Sequence, residues 1–160
     1  MSGIQPHLLL TQGYVGYFLG SFTDFGPELI LVSPQIQERM ELSDEILTNF
    51  SISILTMTGT YDTSVGKVSL LPITAAEGLV AVSCTFLVKN PELEDERLVE
   101  GTPTVFAVLI PSIITLGLKN LPMVLSIVLE QVDQKETLAQ IAEPQFLKDL
   151  TMLVLRKVLW

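Results

Sequence analysis

The stretch Tyr14–Val32, YVGYFLGSFTDFGPELILV, decides how this chain folds. Its first part, Tyr14 to Phe22, alternates loosely and is rich in aromatic residues, which suits a pleated, half-buried strand. Gly20 inside it marks a bulge or a close backbone approach. Thr23-Asp24-Phe25-Gly26-Pro27 is a turn, because Asp, Gly and Pro each supply local geometry that a ladder cannot use. Leu29 to Val32 then returns as a second strand, and the whole segment predicts a hairpin.

Downstream of the hairpin, Ser33-Pro34 ends the strand, and a polar stretch leads to Ser43. Ser43 is placed to cap a helix whose first turn carries Asp44 and Glu45, carboxylates that suit the positive end of a helix dipole. Ile46, Leu47, Phe50, Ile54 and Met57 recur near a 3.6-residue period, and Gly59 stands where such a helix commonly ends in a left-handed residue. Three further strands are predicted at Lys67–Ile73, Leu79–Val88 and Thr104–Ile110. The last two are continuous apolar runs, the pattern of strands covered on both faces or pressed against a partner. Between them, Lys89 to Pro103 holds Glu92, Glu94, Asp95, Glu96 and Glu100 and reads as a long solvated hairpin connection. After Pro111-Ser112 the pattern turns helical: a short piece from Ile113 to Lys119, a helix from Pro122 to about Gln131, and a last helix from about Pro144 to Val158. The predicted class is α+β, a five-stranded antiparallel sheet flanked by helices in the order β-β-α-β-β-β-α-α.

Composition bounds what such a chain does. Its 160 residues, without internal repeat, low-complexity tract or linker, predict a single domain over 1–160 with its core at about 14–160. A domain of that length buries roughly 70% of its unfolded surface. Hydrophobic residues nevertheless reach 48% against 17% charged, with a mean hydropathy of +0.49, so apolar surface is left over for a membrane or a partner. A spanning helix needs about 20 apolar residues. The window Ile4–Thr23 is broken by Gln5, Pro6, His7 and Gln12, and Gly101–Leu118 is split by Pro111 and Ser112. Peripheral membrane association is the most these windows predict. With no basic region ahead of an apolar one at the N-terminus, a secretory signal is not expected either. A net charge of −9 opposes nucleic-acid binding, since a phosphate backbone repels it. Cys84, the single cysteine, allows no intrachain disulfide and favours a cytoplasmic setting, with a small core side chain as its simplest role.

The residues that carry chemistry are sparse. His7 is the only histidine, so neither a histidine triad nor a multi-histidine metal site is available. Gly59–Val68, GTYDTSVGKV, has the outline of a phosphate loop, but six residues separate its glycines and Val68 stands where a hydroxyl is needed. The carboxylates from Glu92 to Glu100 lack the spacing of a calcium loop and read first as a solvated charge run, within which Asp95-Glu96-Arg97 offers a local ion pair or, as a lesser alternative, a docking handle for a basic partner. Lys148, Arg156 and Lys157 share the last helix with Phe146, Leu150, Leu153, Val154 and Trp160, the pattern of a core-facing stripe with a basic end or, alternatively, of an interfacial membrane or partner helix. Asp24 with Glu28 offers a carboxylate pair, though acids beside a Gly-Pro turn ordinarily serve the turn. No catalytic, cofactor-binding or metal-binding residue is therefore assigned.

The opening strand Tyr14–Phe22, the turn around Phe25-Gly26-Pro27-Glu28, the helix from Ser43 and the apolar strand ending in Ile110-Pro111 before a helical tail resemble, in their order, the longin family. The resemblance spans Tyr14 to Trp160 and rests on element order, with no diagnostic motif. It implies a profilin-like sandwich and a non-enzymatic dimerisation or docking module of the kind that longin and roadblock domains provide in trafficking machinery and around small Ras-like GTPases. The long acidic connection, and the expected lack of an appended coiled coil or transmembrane segment such as SNARE-type longins carry, argue against a fusion role and favour a stand-alone adaptor or GTPase-regulating subunit. The expected partners are a second copy or a sister longin or roadblock subunit, and a small GTPase. Contact residues are expected on the capped helix at Ile46, Phe50 and Ile54, on the second strand at Leu29 and Leu31, and in the acidic connection at Asp95 and Arg97. Arg97 is also a weak candidate for an arginine finger in trans. The competing reading is a small-ligand or lipid-binding domain with an apolar cleft between sheet and helices.

Overall fold

A computed structural model describes residues 5–57, 68–73 and 77–159. The hairpin predicted from the opening stretch is present as β1 (Gly16–Thr23) and β2 (Gly26–Val32). Only Asp24 and Phe25 lie between the paired Thr23 and Gly26, and Gly26 takes φ of 103°, which costs a glycine nothing. Pairing passes from Leu19↔Leu31 to Gly20↔Leu29, so Ile30 is skipped: the bulge signalled by Gly20 puts Ile30 and Leu31 against the same core cluster.

Three more strands complete the sheet: β3 (Val68–Pro72), β4 (Leu79–Val88) and β5 (Thr102–Pro111). Among the described residues the sheet is five-stranded, antiparallel throughout, in the order β2-β1-β5-β4-β3. β4 and β5, the two apolar runs, pair over ten residues at its centre. β5 is longer at both ends than predicted, because Thr102 and Pro111 are carried in the ladder by β4.

Helices cover both faces. On one side α3 (Asp44–Met57) crosses β2, β1 and β5, and Ser43 caps it by accepting the Ile46 amide at 3.1 Å. Leu47, Ile54 and Leu55 of α3 are buried there with Phe18, Val105, Ala107 and Leu109. On the other side α5 (Leu121–Val132) and α7 (Pro144–Leu159) pack on each other over Tyr17, Leu19, Val82, Phe86, Phe106 and Val108. The α7 stripe is Leu147, Leu150, Val154, Leu155 and Val158, with Arg156 and Lys157 in the last turn as its pattern predicts; Trp160 lies outside the described residues. The piece after Pro111 is a 3-10 helix, Ser112–Gly117.

Four short helices depart from the predicted order. α1 (Pro6–Thr11) precedes the sheet and buries Leu10 at 2% exposure, so the core begins ahead of residue 14. α2 (Pro34–Arg39) occupies the stretch predicted as polar connection, and buries Ile36. α4 (Glu96–Val99) and α6 (Leu138–Ile141) are single turns anchored by buried Leu98, Leu138 and Ile141. The Lys89–Pro103 connection is thus a β4–β5 hairpin connection as predicted, but not a wholly solvated one. Asn90 and Leu98 are buried, and Asp95 caps α4 by accepting the Arg97 amide at 3.0 Å. The predicted start of β3 at Lys67, the Gly59 helix end and the loop to Gly66 all lie outside the described residues.

Candidate interaction surfaces

The two edges of the sheet are built differently. β2 carries Pro27, an exposed Glu28 and the bulge at Ile30, three features that spoil an edge for pairing with another chain. β3 reads VSLLP, is uncharged, and is regularly registered on β4 from Val68↔Cys84 to Pro72↔Val80, with its one proline at the last position. Beside it, Val68 and Leu70 face Leu121, Pro122 and Leu125 of α5 across an open apolar groove of about 360 Å³. Leu70 is 40% exposed, and Met123 on the neighbouring turn is exposed to a similar degree. An edge lacking charge, flanked by apolar side chains, is a template for strand addition.

The residues expected to make contacts are placed as follows. Ile54 is 2% exposed and belongs to the core under α3, which corrects its assignment as a contact residue: the apolar stripe of the helix is used up by the sheet. Ile46 and Phe50 are half-buried against the same cluster, and Phe50 meets Phe18 edge to face with ring centroids 5.9 Å apart. Asp44, Glu45, Asn49 and Ser53 make the exposed side of α3 polar. Leu29 and Leu31, split by the bulge, are half-buried on opposite faces of the sheet. Asp95 and Arg97 form the predicted ion pair: the Arg97 Nε and Nη2 donate to the two Asp95 oxygens at 3.0 and 2.8 Å. That hydrogen bond with Arg97 is the main reason the Asp95 carboxyl sits below its ordinary range. The sequence did not single out Leu70, Met123 or Phe25, whose exposure depends on which distant elements leave them uncovered.

Asp24 is engaged by backbone amides of a distant segment. Its carboxylate accepts the Glu94 amide at 3.1 Å with both oxygens and the Asp95 amide at 3.0 Å, bracing the β1–β2 turn against the β4–β5 connection. Cys84 is buried at the sheet centre, and burial pushes its thiol up to about 12, far from any thiolate chemistry at neutral pH. His7 is exposed on α1. Among the described residues no group of three or more His, Cys, Asp or Glu side chains is arranged to hold a metal ion. Nor is any described helix long and apolar enough to cross a membrane. No protein-family model, curated protein or solved structure matches this chain.

Proposed function

We propose that this chain is a longin-like protein-interaction module that pairs with a second copy of itself through the β3 edge and serves as an adaptor for a small Ras-like GTPase. The observation that carries the reading is the contrast between the two edges: β2 is blunted by Pro27, Glu28 and a bulge, whereas β3 is uncharged and lies beside an apolar groove. A two-fold antiparallel arrangement sets the same VSLLP segment against itself, and it needs no charge complementarity in a chain carrying −9. Leu70 and Met123 then lose their exposure. A sheet with α3 on one face and α5 and α7 on the other supports the longin-like, profilin-like description, and that likeness is what suggests the GTPase and a trafficking setting.

Light scattering on the purified chain tests the pairing. The outcome in favour is a mass near twice 17.6 kDa that drops to the single-chain value in Leu70→Lys, whose helix content and melting remain those of the parent. A parent chain that stays at the single-chain mass at all concentrations counts against it. A second reading, in which the same groove takes an acyl chain, is favoured by its size and apolar lining. Native mass spectrometry separates the two: a retained lipid in place of a second chain selects it.

A further inference from the structure

We infer that the tip of the β1–β2 hairpin is a docking knob, which inserts Phe25 into an apolar pocket rimmed by basic side chains on a partner protein. Phe25 is 92% exposed, the most exposed large hydrophobic side chain among the described residues. Leaving such a ring in water forfeits the favourable free energy of its burial, and a turn has no need of it.

The tip is not a loose end. The Thr23 hydroxyl accepts the Phe25 amide at 3.1 Å and donates to the Gly26 carbonyl at 3.1 Å. On the other side, the Asp24 carboxylate holds the amides of Glu94 and Asp95, about seventy residues along the chain. The ring is therefore carried on backbone that is already ordered, so a partner that buries it loses little conformational entropy. Rigid aromatic side chains presented in this way are the commonest anchors of protein interfaces.

Charge defines the partner. Residues 24–28 and 89–100 together hold seven carboxylates against Lys89 and Arg97, a net of −5 in a chain carrying −9. Both cations are engaged inside the connection, Lys89 with Glu100 at 3.5 Å and Arg97 with Asp95 at 2.8 Å. The resulting field repels anionic headgroups, nucleic acid and the same end of a second copy, and attracts a basic protein surface. Strand order places the knob at the β2 side of the sheet, away from β3, so it does not rest on the pairing proposed above.

A fluorescein-labelled amphipathic peptide of lysines and leucines, titrated with the full chain by anisotropy, tests the inference. Saturable binding is expected, weakened about tenfold or more by Phe25→Ser, which is 1.4 kcal/mol. It is also weakened by raising salt from about 0.1 to 1 M, where screening shortens to about 3 Å. Phe25→Tyr retains the binding, Leu70→Lys leaves it unchanged, and Phe25→Ser melts like the parent because the ring covers nothing in the fold. Absence of peptide binding, or equal binding by Phe25→Ser, overturns the inference. So does Phe25-dependent binding to phosphatidylserine vesicles, which makes a membrane the occupant, or Phe25-dependent self-association, which makes it a second copy.

Discussion

A β-carbon built on Gly20 would lie 2.7 Å from the Ser51 hydroxyl oxygen and 2.9 Å from the Ser51 Cβ, so α3 seats on β1 because residue 20 has no side chain. Gly20→Ala drives a methyl into that contact and into Val105, 3.2 Å away. A loss of about 1–3 kcal/mol is expected, the usual range for overpacking. Urea unfolding measures it, and a cycle with Ser51→Gly recovers part of the loss beyond the helix cost of the new glycine.

Ser83 and Thr85 alternate on β4, are buried, and have hydroxyls without a hydrogen-bond partner among the described residues. Thr85 faces Val105 in the ladder, and Val105 faces Gly20. Thr85→Val keeps the shape and removes the stranded hydroxyl, so the chain gains about 1 kcal/mol. The urea midpoint rises without a change in m-value if this is right.

Ile54 and Phe50 share a helical stripe but not a depth. Ile54→Ala empties a fully buried site and costs about 2–5 kcal/mol. Phe50 is half-buried, so Phe50→Ala costs less than full excavation of an aromatic core residue, and the edge-to-face contact with Phe18 contributes about 0.5–1.5 kcal/mol of it. Chemical denaturation of both variants should rank Ile54→Ala as the more damaging relative to side-chain size.

Burial raises the Cys84 thiol from its ordinary 9.0 to about 12, and raises the Tyr17 hydroxyl as well. Both groups hold their protons more tightly when folded than when unfolded. Stability from this source is complete below pH 9 and is lost as pH climbs from 9 towards 12. Urea midpoints should therefore fall from pH 8 to pH 10 in the parent and fall less in Cys84→Ala. Thiol reagents at pH 8 should label Cys84 only at the rate of unfolding.

Much of the fold could be read locally. The hairpin, the Ser43 cap and the runs of β4 and β5 are written in consecutive residues, and period and turn chemistry were enough to find them. The short helices were not. Ser33-Pro34 marks the end of β2 and equally the start of α2, with Pro34 in its first turn. The Ser33 hydroxyl does not cap α2; it accepts the Tyr17 amide at 3.0 Å, a tertiary bond with no local signature. Single turns such as α4 and α6 are too short to nucleate alone and persist because Leu98, Leu138 and Ile141 reach the core.

The candidate surfaces were less legible for the same reason. A 3.6-residue period groups Ile46, Phe50 and Ile54 on one side of α3, but it does not say whether a partner or the chain's own sheet covers that side. The β3 groove joins Val68 and Leu70 to Leu121 and Leu125, elements about fifty residues apart, and Phe25 is exposed because no described element covers its ring, although the β4–β5 connection reaches the neighbouring Asp24. The Asp95–Arg97 pair was visible because its partners are two residues apart.

The pairing of two chains through β3 is tested most directly by amide hydrogen exchange of residues 68–72, followed from low micromolar to near-millimolar protein. If the edge is where the copies meet, those of its amides that do not pair with β4 become protected as concentration rises, while those of β2 exchange at a constant rate. Exchange over 68–72 that ignores concentration, in a chain otherwise fully folded, contradicts the account.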